Sequence, residues 1–219
     1  MPNDCARGEK FDVTHALSCK LGGFVTLRHD EIRDITAELL KEVCNDVRKE
    51  PLLIEPNLED LNRQANKNRE ARLDVSARNF WTNGQRAFFD IRVFNLDARR
   101  HKGTEVEKCF ERNEKEKKRH YERRVLEIEN GTFTPLVFDT NGGMGKECMI
   151  FYKRLAEMVA EKKSIKIQFA TNAIRTRIAF SLLRSTIRCV RGSKSIHNTN
   201  RNNIDIDISE DNSNFIFHD

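Results

Sequence analysis

The sequence predicts a mixed α/β domain: helices packed on a four-stranded sheet, with two further helices at the C-terminal end. Three observations predict it. Apolar residues recur at three- and four-residue steps in four separate segments, the period of a helix with one buried face. Four short apolar runs, each bounded by polar or glycine-containing stretches, read as strands. The order in which they alternate is helix, strand, strand, strand, helix, strand, helix, helix, which fits helices laid on a mixed sheet.

Residues 1–27 carry cysteine, histidine and glycine with little periodicity. From Arg28 to about Val47, Ile32, Ile35, Leu39 and Val43 form a helical stripe, widened by Thr36 and Leu40. Pro51-Leu52-Leu53-Ile54 is a short apolar run and is expected to be a strand, and the polar stretch 55–70 a loop. Strands are expected over 71–78 and 86–95, with Asn83-Gly84 as the turn signal between them. A basic loop over 97–104 leads into a charged helix over 105–129. Its stripe, Val106, Phe110, Asn113, Lys117, Tyr121 and Ile128, puts a lysine in the middle of the side that should face the sheet. Phe133–Phe138 is the fourth strand, ended by Asn141-Gly142-Gly143, and helices follow over 146–162 and 172–191. The expected organisation is a Cys/His segment at 1–27, the main domain at 28–192 and a disordered polar tail at 193–219.

The chain has 219 residues, 38% of them hydrophobic and 33% charged, which is enough to bury one core. Its formal charge of +5 permits a nucleic-acid partner. No apolar run reaches the length of a membrane span, and the first residues lack the apolar segment of a signal peptide. Together with six scattered cysteines, this points to an intracellular location, nuclear or cytoplasmic, with no membrane partner.

Two aspartates stand inside the central apolar runs, Asp74 in Leu73-Asp74-Val75 and Asp90 in Phe89-Asp90-Ile91. An ionised carboxylate in a half-buried strand is costly unless it is paired or binds a metal. Alternate residues of a strand share a face, so Asp90 and Arg92 point one way and Phe89, Ile91 and Val93 the other. If the two strands form a hairpin, Asp74 and Asp90 converge, and hard carboxylate oxygens suit Mg²⁺ or Mn²⁺. The competing reading is two solvent-facing aspartates that pair with arginines such as Arg72 or Arg78. Glu31, at the flank of the first helix's stripe, and Lys117 are placed to reach the same cleft. Lys117 alternatively snorkels, its stem packed and its head in water.

Cys5, His15 and Cys19 have the residue types of a zinc knuckle. A structural zinc takes four ligands, and Arg7 stands where a second cysteine is needed, so Zn²⁺ is not expected. Gly142-Gly143-Met144-Gly145-Lys146 opens a helix after a strand but lacks P-loop spacing, and reads as a turn. The last helix carries Arg177, Arg184, Arg188 and Arg191 along one side with no acid between 172 and 194. That row suits DNA backbone phosphates, or is a solvated face.

The order of elements and Asp74…Asp90-x-Arg92 resemble the PD-(D/E)xK restriction-like nuclease superfamily. The segments Phe11–Lys20, Arg28–Asp34, Ala71–Val75 and Phe88–Asn95 resemble an uncharacterised domain of invertebrate retroelement-like genes. They are also similar to the restriction-like endonuclease of site-specific non-LTR retrotransposons. The resemblance covers about residues 11–192. It implies a restriction-endonuclease-like core and a metal-dependent endonuclease that hydrolyses DNA phosphodiesters, of retroelement origin and part of a longer polyprotein. It implies Asp74 and Asp90 as metal ligands and Glu31 as the helix-borne glutamate of some members. Arg92 stands at the catalytic lysine's position. Arginine stays protonated, and some members move the basic residue to the following helix, which singles out Lys117. The alternative is a catalytically inactive nucleic-acid-binding remnant of the same fold.

Overall fold

The computed structural model describes residues 4–191, apart from residues 6, 7, 22, 56–65 and 67. The tail expected over 193–219 and most of the loop expected over 55–70 lie outside the described residues. The helices are α1 (Val13–Ser18), α2 (Phe24–Val43), α3 (Val106–Glu127), α4 (Lys146–Lys163) and α5 (Ile167–Arg191). The strands are β1 (Asn45–Lys49), β2 (Val75–Arg78), β3 (Arg86–Phe94) and β4 (Thr132–Asp139). They form one sheet in the order β1-β2-β3-β4. The first three are antiparallel neighbours, and β4 lies parallel to β3. A parallel neighbour needs a long crossover, and α3 supplies it. The predicted α/β class and four-stranded mixed sheet are therefore present.

Strand alternation sorts the core into two layers. Phe89 and Ile91 of β3 join Ile32 and Leu40 of α2, Phe151 and Leu155 of α4, and Ile174 and Ile178 of α5 in the main core. Phe88 and Phe94, one pleat off, face α3, where Val125 and Phe110 cover them. The sheet thus has α2, α4 and α5 on one side and α3 on the other. Phe80 stacks on Phe151 at 4.7 Å between ring centres and meets Phe89 edge-on. Thr36 spends its hydroxyl on Ile32 O and on Tyr152 Oη, 2.8 Å away, so these two buried hydroxyls are satisfied.

The first strand differs from expectation. The apolar run 51–54 makes only an isolated bridge between Leu52 and Arg72. The strand itself is Asn45-Asp46-Val47-Arg48-Lys49. It is an exposed edge with a register break between Asn45 and Arg48, so no apolar alternation marks it in the sequence. The N-terminal segment holds a short helix, α1, whose amide at His15 is capped by Asp12 Oδ1 at 2.7 Å. Asn95 at the end of β3 donates to Thr14 O and Ser18 Oγ, and buried Arg28 donates to Leu17 O, which ties α1 to the main domain.

Candidate active site

β2 and β3 pair Val75 with Phe89. The paired register ends there, one residue short of Asp74 and Asp90, but the two carboxylates are near enough for Asp74's charge to act on Asp90. β2 begins only at Val75, so past Phe89 the β2 side of β3 has no strand partner. Asp74 covers part of that gap: its Oδ2 accepts the Ile91 amide at 2.5 Å. The Asp90 carboxylate is buried, and Lys117 Nζ from α3 lies 2.5 Å from its Oδ2. The lysine that the helical pattern places on the sheet-facing side thus meets the strand aspartate.

His29 approaches from α2. Its Nε2 lies 3.2 Å from both Asp74 Oδ2 and Ile91 O. A carbonyl oxygen only accepts, so Nε2 carries the proton. Nδ1 is 3.4 Å from Asp30 Oδ1. Burial acts to lower the imidazole's pKa, but the hydrogen bonds and charges of Asp74 and Asp30 outweigh it and raise it. Burial pushes the Asp90 carboxyl up to about 6. Asp74's charge adds to this rise, while Lys117 and His29 oppose it. Two carboxylates, a lysine and an imidazole thus share one electrostatic unit.

Beside this unit, between α2 and α3, lies a cleft of about 400 Å³ lined by His29, Arg92, Glu116, Lys117, His120 and Tyr121, among others, with neither aspartate in its lining. Arg92 is half-buried there, 2.9 Å from Glu116 Oε2. The residues present fit a small divalent cation. Both carboxylates offer hard oxygens, and Lys117, already at Asp90 Oδ2, would have to share that carboxylate with the ion.

No protein-family model matches this chain, and no curated protein does.

The other sequence-predicted residues lie elsewhere. Glu31 faces α5, where Ser185 Oγ donates to its Oε2 at 2.5 Å and Arg188 sits 3.6 Å from Oε1. The helix residue brought to Asp74 is His29, two positions earlier. Arg72 donates to Glu50 O and Arg78 pairs with Asp46, so neither neutralises the strand aspartates. In the basic row of α5, Arg177 pairs with Glu38 and Arg188 with Glu31, while Arg184 and Arg191 are exposed. The glycine turn before α4 is closed by protein groups. Asp139 Oδ1 accepts the Asn141 and Gly143 amides, and Glu114 Oε1 accepts the Glu147 amide at the helix start.

At the N-terminal end, one ligand atom each of Cys5, His15 and Cys19 lie within 4.8 Å of one another. His15 Nδ1 lies 3.2 Å from the Glu9 carboxylate, and Nε2 is buried with no hydrogen-bond partner among the described residues. A histidine held at one nitrogen by a carboxylate with the other left open is the usual arrangement of a metal-binding imidazole. The trio fits a soft cation such as Zn²⁺ through three protein donors.

Proposed function

We propose that Asp74 and Asp90, beside this cleft, bind Mg²⁺ or Mn²⁺ and that the domain is a metal-dependent endonuclease acting on DNA, of retroelement origin and with a restriction-endonuclease-like core. The observation that carries this reading is Lys117 set against Asp90, within range of the Asp74 charge. Two carboxylates and a lysine beside a basic-lined cleft are the groups that phosphodiester hydrolysis needs. A bound divalent ion would lower the pKa of a water and stabilise charge on the phosphate. Asp74 and Asp90 would hold that ion. Lys117 would orient Asp90 and, with Arg92, meet the scissile phosphate. His29 would fix Asp74 through the same oxygen that takes the Ile91 amide. Arg184 and Arg191 would grip backbone phosphates further along the duplex.

One observation favours a second reading, a nucleic-acid-binding remnant without turnover: Arg92 occupies the expected lysine position and is engaged by Glu116. Plasmid nicking in Mg²⁺ or Mn²⁺, run beside fluorescence anisotropy on a DNA duplex, separates the two. Nicking by the wild type and none by Asp90→Ala supports the nuclease. Binding without nicking supports the remnant, and equal nicking by both proteins removes Asp90 from the chemistry.

A further inference from the structure

The outer face of α5 is apolar, and none of the described residues covers it. Phe169, Phe180, Leu183 and Ile187 are 63%, 62%, 54% and 44% exposed. With Ala173 and Thr176 between them they follow alternating four- and three-residue steps, so they form one straight stripe. The stripe lies opposite the buried face of Ile174, Ile178, Leu182 and Cys189. Arg184 and Arg191 border it on one side and Arg175 on the other, and α5 contains no acid. Phosphate contacts account for arginines but not for four large apolar side chains in water. Whatever covers this face must be apolar and acidic.

A second copy of the chain is the wrong charge. Packing α5 on α5 would bring Arg175, Arg184 and Arg191 from each helix together with no acid on either helix to pair with them. The chain itself carries a segment with the required chemistry. Ile204-Asp205-Ile206-Asp207-Ile208-Ser209-Glu210-Asp211 alternates apolar and acidic residues and is followed by Phe215-Ile216-Phe217, with no lysine or arginine from 202 onward. These residues lie outside the described part. The twelve residues from Gly192 to Asn203 connect them to the end of α5 and span up to about 40 Å when extended. The helix from Phe169 to Arg191 is about 33 Å long. The segment therefore reaches every residue of the stripe, and tethering supplies it at an effective concentration of order millimolar.

We propose that residues 204–217 dock on the outer face of α5. Their isoleucines and phenylalanines cover Phe169, Phe180, Leu183 and Ile187, and their acids pair with Arg184 and Arg191. Docked there, the segment occupies two of the arginines assigned above to DNA backbone, so it competes with nucleic acid for this helix. The contact itself does not depend on the nuclease reading.

The test uses the full chain with a photoreactive benzoylphenylalanine in place of Phe215, irradiated without metal or DNA. Peptide mapping should find cross-links to residues 169–191 at monomer mass. Reversing the tail's charge (Asp205→Lys, Asp207→Lys, Glu210→Lys and Asp211→Lys together) should remove them, and adding Arg184→Glu with Arg191→Glu should restore them. Cross-links at dimer mass would assign the face to a second copy. That result, cross-links elsewhere, no cross-links, or insensitivity to charge reversal would each overturn the proposal. Because the readout involves no cleavage, a chain that fails to nick DNA leaves it standing.

Discussion

Replacing Lys117 with methionine keeps the stem and removes the cation beside Asp90. The size of the effect follows from the carboxyl's position on the pH scale. Burial already holds Asp90 at about 6, against an ordinary value of 3.8, with Lys117 in place. Without Lys117 that value rises further, because the lysine's charge opposes the rise. The extra cost has a ceiling, since once the carboxyl's pKa exceeds the ambient pH it takes up a proton. The ceiling therefore grows with each pH unit above 6 and is on the order of a few kcal/mol at pH 8. The sign is fixed by the raised folded-state value. The penalty is absent below 6, where Asp90 is protonated in both proteins, and grows as pH rises through it. Urea unfolding with a chelator present, at pH 5 and pH 8, measures this directly. Lys117→Met should be near neutral at pH 5 and lose about 2–3 kcal/mol at pH 8. In an Asp90→Asn background the pH dependence should vanish. An equal loss at both pH values, or a loss that survives Asp90→Asn, would refute the coupling.

Arg124 is fully buried and donates to Ile54 O, Asn66 O and Asn68 O at 2.8–3.0 Å. Arg124→Met should cost about 3 kcal/mol or more by denaturant unfolding, because charged hydrogen bonds are lost and carbonyls are stranded; a loss under 1 kcal/mol would show that water replaces the guanidinium. A Cβ added at Gly131 would sit 2.8 Å from Arg86 O and 2.9 Å from the Phe88 ring. Gly131→Ala should destabilise by about 1–3 kcal/mol in thermal melts, and an unchanged melting temperature would contradict that crowding. Titration with Co²⁺ should produce a thiolate charge-transfer band that Cys19→Ser weakens, if the Cys5–His15–Cys19 trio holds a metal; no band would assign the trio to packing alone.

Much of this arrangement is legible in the sequence because it depends on local periodicity. Period two places Asp90 and Arg92 on one face of β3 and Phe89 and Ile91 on the other. Helical spacing places Lys117 toward the sheet, and the structure adds only its partner. Glu31 and His29 show where periodicity stops. Two residues on a helix are 200° apart, so only one of them can face the cleft. Which one does is decided by how α2 packs on α5 and β3, contacts between segments far apart in the chain. β1 escapes notice for a different reason. An exposed edge strand has little apolar alternation to detect, and the apolar run that follows it buries Leu53 against the α3 side without forming a strand. The cysteines and histidine at 5, 15 and 19 are visible as residue types, but their convergence is a tertiary fact.

The crossover between β3 and β4 has a kinetic consequence. Asp74 and Asp90 flank the open end of the β2–β3 hairpin, a local pairing that forms early. Their cation is carried by α3, which is fixed only when the parallel β3–β4 pair closes over the helix. The two carboxylates therefore meet before Lys117 arrives, and the lysine acts on the finished fold rather than on the barrier to reaching it. In stopped-flow experiments Lys117→Met should speed unfolding and leave the refolding rate nearly unchanged; slowed refolding would place α3 in the nucleus. By this order, the pocket is the last part of the sheet to become itself.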